Sequence, residues 1–250
     1  MSSQGEASAA HVAGAAERTV AAQTARLFAA WSQDPVPDPA DRRCEGTADF
    51  AGRRAWVRQV PLFTAGLAAE LIERHHGADG DDLAQLGEPQ EMVYDGANAY
   101  WHVGDRWTGF FLGDRDGPRT VNDPLWPLDA MFGAQNAVEV GAEEVRGVPV
   151  TRYRVRIDLA RADAALPAGV TVPTGPYREL SQVPAEVWLD SAGQCRRIAV
   201  ATERTAGDDQ VPIWSIVELW DFGVHADIVP PSPAEVVPPR EAYRETPSPP

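Results

Sequence analysis

The sequence predicts a mainly β (α+β) fold, built on one antiparallel sheet to which a few short helices are added. Residues 183–220 favour it most, because apolar and polar side chains alternate there over three segments separated by short turns. Residues 89–111 show the same alternation around two turns, at residues 95–98 and 104–105. The chain has 250 residues, enough to bury the core of one domain, which we expect to span residues 23–235.

The first connection within residues 183–220 is a tight turn. Residues 190–193 begin with Asp and end with Gly, as a type I turn requires. This turn predicts that Leu189 lies opposite Gln194. In the same register, Val187 lies opposite Arg196.

The second connection, residues 205–210, sets the register of the next pair of strands. It predicts that Val200 lies opposite Trp214, and that Ile198 lies opposite Ile216. With both registers, one face of the sheet is apolar and needs cover from other elements. This face consists of Val187, Leu189, Ile198, Val200, Trp214, Ile216 and Trp220.

The opposite face of these strands is mixed in polarity, so it is expected to face solvent. Its residues are Glu186, Trp188, Arg197, Ala199, Glu203, Ile213, Val217 and Leu219. The same registers predict an ion pair between Arg196 and Glu218 across the two strands.

The first third of the chain is predicted to hold helices and strands in alternation. Residues 6–26 are rich in Ala and place Val12, Ala16 and Val20 on one stripe of a helix. Residues 34–41 combine prolines with acidic residues, which predicts a loop. The expected strands are residues 24–32, 43–50 and 53–61, and a second helix is expected at residues 64–76.

Residues 123–133, DPLWPLDAMFG, are predicted to form a short helix inside the sheet. Asp123 is expected to cap the helix, and Pro124 to occupy its first turn. The apolar residues of the segment are Leu125, Trp126, Leu128, Met131 and Phe132. A helix with so little polar surface needs cover on most sides. It is either an ordinary core helix or a plug over a cavity, and the two readings differ in the space left between helix and sheet.

The remaining segments complete the predicted sheet. Residues 137–145 and 148–159 form a hairpin, and a change of phase at Thr151 predicts a bulge there. Residues 160–180 contain prolines that exclude a long helix. The chain from residue 236 to residue 250 is rich in proline and is expected to be a disordered tail.

Charge and composition exclude several classes of protein. The net charge of −15 argues against binding to nucleic acids and to anionic membrane surfaces. Cys44 and Cys195 belong to no CxxC pair and are expected to be free thiols. Residues 1–19 lack the basic start and the continuous apolar segment of an export signal, so a cytoplasmic location is expected.

Three stretches carry a resemblance to a known family. They are VPAEVWLDSAGQCRRI at residues 183–198, VELWDFGVHADIVPPSPAEV at residues 217–236 and GAEEVRGVPVTRYRVRIDL at residues 141–159. These stretches resemble actinobacterial lipoproteins of the LppX/LprG type, which have the LolA-like fold. The resemblance implies an unclosed half-barrel whose concave face holds lipid or acyl chains and is plugged by short helices.

The same resemblance bears on location and on partners. Proteins of this type are usually exported and anchored through a lipidated cysteine that follows a small, apolar motif. Here Cys44 follows Asp-Arg-Arg, so it does not match that motif. Known relatives of the fold also include stress sensors that bind a partner protein.

No motif for catalysis, metal binding or phosphate binding is present in the sequence. The histidines form no HExxH pair and accompany no GxSxG serine. His75 and His76 are adjacent, so their rings would point apart on a helix and chelate a metal poorly. His102 is expected to pack against Trp107 across a hairpin, which favours a structural role.

We therefore expect non-catalytic carriage or sensing of a lipid or acyl chain by a monomer that needs no cofactor. The expected ligand-binding residues are Leu125, Trp126, Leu128, Met131, Phe132, Val187, Leu189, Ile198, Val200, Trp214 and Ile216. One alternative is a protein-interaction or stress-sensing module of the same fold without bound lipid. A second alternative is a hydrolase of unfamiliar pattern.

Overall fold

The computed structural model of the protein describes residues 3–37, 42–59, 90–96, 98–103, 105–111, 123–167, 172, 182–206 and 209–237. Within them, twelve strands form one curved sheet that is not closed into a barrel, which confirms the predicted half-barrel. The strands are β1 (Thr24–Ser32), β2 (Arg42–Asp49), β3 (Arg54–Gln59), β4 (Gln90–Asp95), β5 (Asn98–Val103), β6 (Arg106–Phe111), β7 (Ala134–Val145), β8 (Val148–Asp158), β9 (Gln182–Asp190), β10 (Cys195–Ala206), β11 (Asp209–Trp220) and β12 (Val236–Val237).

Short helices accompany the sheet. They are α1 (Ser3–Val20), α2 (Trp126–Ala130) and α3 (Leu159–Ala165), and a 3-10 turn at Met131–Gly133 follows α2. The helix predicted at residues 64–76 lies outside the described residues. In the part of the chain that the structure describes, no helix is both long enough and apolar enough to cross a membrane.

The order of the strands is β12-β6-β5-β4-β3-β2-β1-β11-β10-β9-β8-β7. Neighbours are antiparallel, except that β12 pairs with β6 in parallel, so the sheet is mixed at this edge. The prediction of a purely antiparallel sheet is wrong at this one position. Val236 and Val237, which form β12, stand where the proline-rich tail was expected to begin, and residues 238–250 lie outside the described part.

Two registers decide which residues share a face. Between β9 and β10, Leu189 lies opposite Cys195 and Val187 lies opposite Ile198, so the predicted partners are wrong. Arg196 is the extra residue of a bulge, where its guanidinium donates to the Asp190 carboxylate at 2.6 Å. Beyond the bulge the register differs from the prediction by two residues, an even number, so Val187, Ile198 and Val200 keep their predicted face.

The register of β11 is shifted by one residue from the prediction. Val200 lies opposite Ser215, and the ladder continues until Ala206 lies opposite Asp209. A shift of one residue turns every side chain of a strand to the other face. Trp214, Ile216 and Trp220 therefore lie on the outer, convex face, whereas Val217 and Leu219 lie on the inner, concave face.

Helix α1 covers one end of the inner face and is fastened to the sheet at its last turn. Its small apolar residues are buried in the core, so the helix packs closely against β7. The Thr19 hydroxyl accepts a hydrogen bond from the Cys195 amide at 2.9 Å and donates to the Ala15 carbonyl at 2.7 Å. Arg18 adds a hydrogen bond to the Gly193 carbonyl at 3.1 Å. The turn between β9 and β10 thus holds the end of the helix.

Replacement of Thr19 by Val is expected to destabilise the fold, because the buried Cys195 amide loses its acceptor. An unsatisfied buried donor costs about 1–3 kcal/mol, so the midpoint of urea unfolding should fall clearly. Thr19→Ser keeps the hydroxyl and should lose much less stability. Equal midpoints for Thr19→Val and the unmodified protein would contradict this role of Thr19.

Candidate functional site

The plug, which we define as residues 123–133, is buried on nearly all sides. Every residue of α2 is buried, and Met131 is fully buried in the turn that follows. Asp123 begins a turn ahead of the helix, because its carboxylate accepts a hydrogen bond from the Leu125 amide at 2.9 Å. The helix itself starts at Trp126, with Leu125 in the cap position and no side-chain cap, so the predicted cap at Asp123 is wrong. The prediction of a segment enclosed by its surroundings is confirmed.

The plug packs directly onto the inner face of the sheet. One core cluster contains plug residues together with inner-face residues of the central strands, and Phe132 packs against it while partly exposed. The members of this cluster that the sequence predicted are Leu125, Trp126, Leu128, Met131, Val187, Leu189, Ile198 and Val200. Trp214 and Ile216 belong to the outer face instead, because of the register of β11. Val217 and Leu219 take their places, and both were expected on the opposite face.

An ion pair fastens the plug to the first half of the sheet. The Arg53 guanidinium, at the turn between β2 and β3, donates to the Asp129 carboxylate of α2. The Asp129 side chain is only 7% exposed, so the pair is shielded from water. Sequence reasoning missed this contact, although a single acid within an apolar segment signals that a cation must lie nearby.

A narrow cleft lies where the plug meets the end of β1 and the middle of β11. It is lined by Ala29, Ala30, Trp31, Asp123, Pro124, Trp126, Pro127, Ser215, Ile216 and Val217. Its volume is about 10 Å³, which is close to the space that one water molecule needs. An acyl chain does not fit into this cleft while the plug is in place.

Several small side chains lie on the inner face from β1 to β5. They are Ala25, Ala29, Gly46, Ala48, Ala55 and Ala99, and the alanines are almost completely buried. Gly46 shows how closely these strands approach, since a Cβ there would lie 1.8 Å from the Trp56 carbonyl oxygen. Larger side chains, Leu27, Val57, Met92 and Tyr94, lie between the small ones, and we call this part of the inner face the trough.

The outer face of the central strands is covered, which contradicts the expectation that it faces solvent. The tip of the β7–β8 hairpin folds over it, so Val145 and Val150 form a second cluster with Trp188, Ala199 and Ile216. Trp188 has no exposed surface, and its indole N–H donates to Glu143 at 2.7 Å. Mixed polarity did not mean exposure here, because arginines from the hairpin and from β10 neutralise the acids of this face.

Ion pairs link the hairpin to the outer face. Arg152 contacts both Glu143 and Glu186. Glu218 accepts from Arg146 at 2.8 Å and from Arg197, so the predicted partner Arg196 is wrong by one residue.

The hairpin tip is also fixed by an aromatic contact. The Arg146 guanidinium lies 3.8 Å from the centre of the Trp220 ring, close enough for a cation–π interaction. Strand β7 has extra residues at two places: Val140, where Glu139 lies opposite Tyr153 and Gly141 opposite Arg152, and one residue between Gln135 and Val138. Thr151 itself lies in regular ladders, opposite Ala142 and Leu189, so the bulge predicted there is wrong.

Reactive groups are not concentrated at the plug. Cys44 and Cys195 are buried and form no disulfide bond, as predicted, and burial raises the pKa of the Cys195 thiol far above its usual value. His102 packs against Trp107 with ring centres 4.9 Å apart, as predicted. Among the described residues, no group of three or more His, Cys, Asp or Glu side chains could hold a metal ion.

Comparisons with known proteins found similar structures but no similar sequences. No family model matches the chain, and no curated protein matches it. The chain is similar to the lipoprotein LppX from Mycobacterium tuberculosis, with 10% identity, a TM-score of 0.48, and coverage of 87% of this chain and 98% of that one. It is similar to LprF from Mycobacterium bovis, with 11% identity, a TM-score of 0.49, and coverage of 90% and 97%.

A third similar structure is a putative outer membrane lipoprotein-sorting protein domain from Vibrio parahaemolyticus. It is 8% identical, with a TM-score of 0.28 and coverage of 85% of this chain and 92% of that one. The likeness to these three structures is one of fold.

The outer-face network predicts a pH effect on stability. The hydrogen bond from Arg152 lowers the pKa of Glu143 below its usual value of 4.5. A carboxylate whose pKa is lowered in the folded state stabilises the fold at pH values above its usual pKa. This stabilisation is lost as the pH falls through the lowered pKa. Glu143→Gln should therefore make the loss of stability between about pH 5 and about pH 3 shallower in urea titrations.

The matched control for this measurement is Glu144→Gln, which removes a carboxylate from the adjacent, exposed position. This variant should lose stability between about pH 5 and about pH 3 as the unmodified protein does. If the free energy of unfolding falls equally steeply with pH in Glu143→Gln and in the unmodified protein, Glu143 is not the source of this pH effect.

Proposed function

We propose that the protein binds a hydrophobic ligand, a lipid or a single acyl chain, on the inner face of the half-barrel, without catalysis. The observation that carries the proposal is the continuous apolar cluster formed by the plug and the inner face. The ligand would take the place of part of the plug and contact Val187, Leu189, Ile198 and Val200 together with the trough beside them. Trp214 and Ile216 are left out of the proposed site because they lie on the outer face.

Burial of the chain supplies enough free energy for such binding. Each buried methylene contributes roughly 0.8 kcal/mol, so a chain of about sixteen carbons contributes up to about 12 kcal/mol before ordering and association costs. No dedicated polar group is needed for this term. An apolar site of this kind leaves no catalytic motif in a sequence.

We propose that the plug moves when the ligand binds, because the cleft that the described residues leave beside it has a volume of only about 10 Å³. The ligand would exchange one apolar contact for another, since both the plug and an acyl chain cover the same inner face. The main polar contact broken in this exchange is the ion pair between Arg53 and Asp129. We therefore propose that this pair controls how easily the plug opens.

The small volume of the cleft also favours a second candidate. If the plug stays closed under all conditions, the protein is an interaction module of the same fold with a dry, filled interior. The two functions differ in whether any lipid accompanies the protein.

Organic extraction of the protein purified without detergent, followed by mass spectrometry, separates the two. The proposed function predicts recovery of an acyl lipid at close to one equivalent per chain. A sample denatured and washed before extraction gives the background. Protein from several expression hosts without lipid above that background would favour the interaction module.

Asp129→Asn is expected to speed the uptake of a fluorescent acyl probe several-fold in stopped-flow measurements, because the plug loses its ion pair with Arg53. Asp95→Asn is the matched control. Asp95 forms an ion pair with the neighbouring Arg54, at a distance of 2.8 Å, and this pair does not involve the plug. The control should keep the uptake rate of the unmodified protein. Equal rates for Asp129→Asn and Asp95→Asn would contradict a role of the plug in ligand entry.

A further inference from the structure

Arg53 holds the Asp129 carboxylate with only part of its guanidinium. The hydrogen bond to Asp129 comes from Nη2, whereas Nε is buried and has no acceptor among the described residues. These two nitrogens donate on the same side of the guanidinium, so a well-placed carboxylate bonds to both of them. Half of a carboxylate-binding site on Arg53 is therefore unused while the plug is closed.

The turn that carries Arg53 is held by contacts in which the plug takes no part. The Gly52 amide donates to the Asp49 carboxylate at 2.9 Å. The Arg53 carbonyl accepts a hydrogen bond at 3.2 Å from the Gly96 amide, at the turn between β4 and β5. Two residues further along the chain, Ala55 belongs to the trough. Arg53 is thus fixed at the end of the trough independently of the plug.

The surroundings of the Arg53 side chain suit the charged end of a ligand. The side chain is 23% exposed, so it lies at the rim of the inner face, where a charged group keeps part of its hydration. Asp49 and Asp95, at the ends of β2 and β4, have donors of their own. The φ angle of Arg53 is 52°, a conformation that long side chains rarely adopt, which indicates that this side chain has a role.

The plug presents the same chemical groups as an ionised fatty acid. Asp129 is the only acid of α2, and the other residues of this helix are apolar. All of them are buried, so a single carboxylate is attached to an apolar segment that packs on the inner face. When the plug opens, a partly buried guanidinium loses its anion, which is unfavourable unless another anion takes its place. A carboxylate on an acyl chain restores the ion pair and covers the inner face at the same time.

We infer that Arg53 binds the carboxylate of a fatty acid in the position that Asp129 occupies while the plug is closed. This inference rests on the proposed function and names its ligand class, an ionised fatty acid in preference to a neutral ester. The carboxylate bonds to Nη2 and to the unused Nε at the turn between β2 and β3, and the acyl chain extends along the trough. Asp129 is then an internal competitor of the ligand, and Arg53 determines specificity.

Competition between a fatty acid and its methyl ester tests the inference, because both have the same chain and only the acid is charged at pH 8. Each ligand displaces a fluorescent acyl probe, and the readout is the affinity for the acid relative to the affinity for the ester. Arg53→Gln should lower this relative affinity about tenfold or more, because a charge-assisted hydrogen bond is lost. Arg54→Gln is the matched control, since it removes the adjacent arginine, and it should leave the relative affinity unchanged.

Asp129→Asn separates recognition of the ligand from fastening of the plug. It breaks the same ion pair as Arg53→Gln, so a role in fastening alone predicts the same relative affinity in both variants. The inference predicts that Asp129→Asn keeps the relative affinity of the unmodified protein and that Arg53→Gln loses it. The double variant Arg53→Gln with Asp129→Asn leaves neither charge of the pair behind, so it guards against misfolding of the single variant and should show the same loss. Equal relative affinities in all of these proteins would overturn the inference.

Carbon-13 NMR of the unmodified protein provides a second test. A fatty acid labelled at its carboxyl carbon reports the pKa of the bound carboxyl group through its chemical shift. Contact with an arginine lowers the pKa of a carboxyl group, whereas burial without a cation raises it. A bound pKa below that of the free acid supports the inference, and a bound pKa above it contradicts the inference. Failure of the probe, the acid and the ester to bind at all would instead remove the proposed function, so the two failures are distinguishable.

Discussion

An unclosed sheet with an apolar concave face cannot cover that face with its own opposite wall, as a closed barrel does. The rest of the structure depends on this constraint. Other elements have to supply the cover, and here α1 covers the strands near β7 while the plug covers the centre of the inner face. Because α1 is fastened through Thr19 and the plug through Asp129, the cover consists of separate pieces with separate attachments. The proposed function requires one piece of this cover, the plug, to move while the sheet stays intact.

The outer face explains why the sheet itself would stay rigid when the plug moves. The β7–β8 hairpin folds over the outer face of the central strands, where the indole of Trp188 and the acids Glu186 and Glu218 are buried among arginines. Ion pairs of this kind are not strong by themselves, but removal of one partner leaves a buried charge and is costly. The central strands are thus held on the outer face while the inner face keeps its replaceable cover. This asymmetry suits a protein that exchanges ligand on one side only.

Local patterns predicted the strands well, because alternation and turn residues are properties of neighbouring positions. The faces of β9 and β10 were predicted even though Arg196 forms a bulge, since the register beyond the bulge differs from the predicted one by two residues. The face of β11 was wrong, because one residue in the length of a connection decides which side Trp214 and Ile216 occupy. The cover of the outer face and the Arg53–Asp129 pair depend on residues far apart in the chain, for which single-sequence patterns carry no signal beyond an isolated acid.

The position of a heavy-atom-labelled ligand tests the central claim most directly. A crystal structure with an acyl ester brominated at its terminal carbon, solved with anomalous diffraction, locates the chain without assumptions about the plug. We predict bromine density on the inner face between the trough and β10, together with a displaced plug. Bromine density on the outer face, or an inner face that excludes the ligand while the plug keeps its contacts with Val187 and Ile198, would contradict the account.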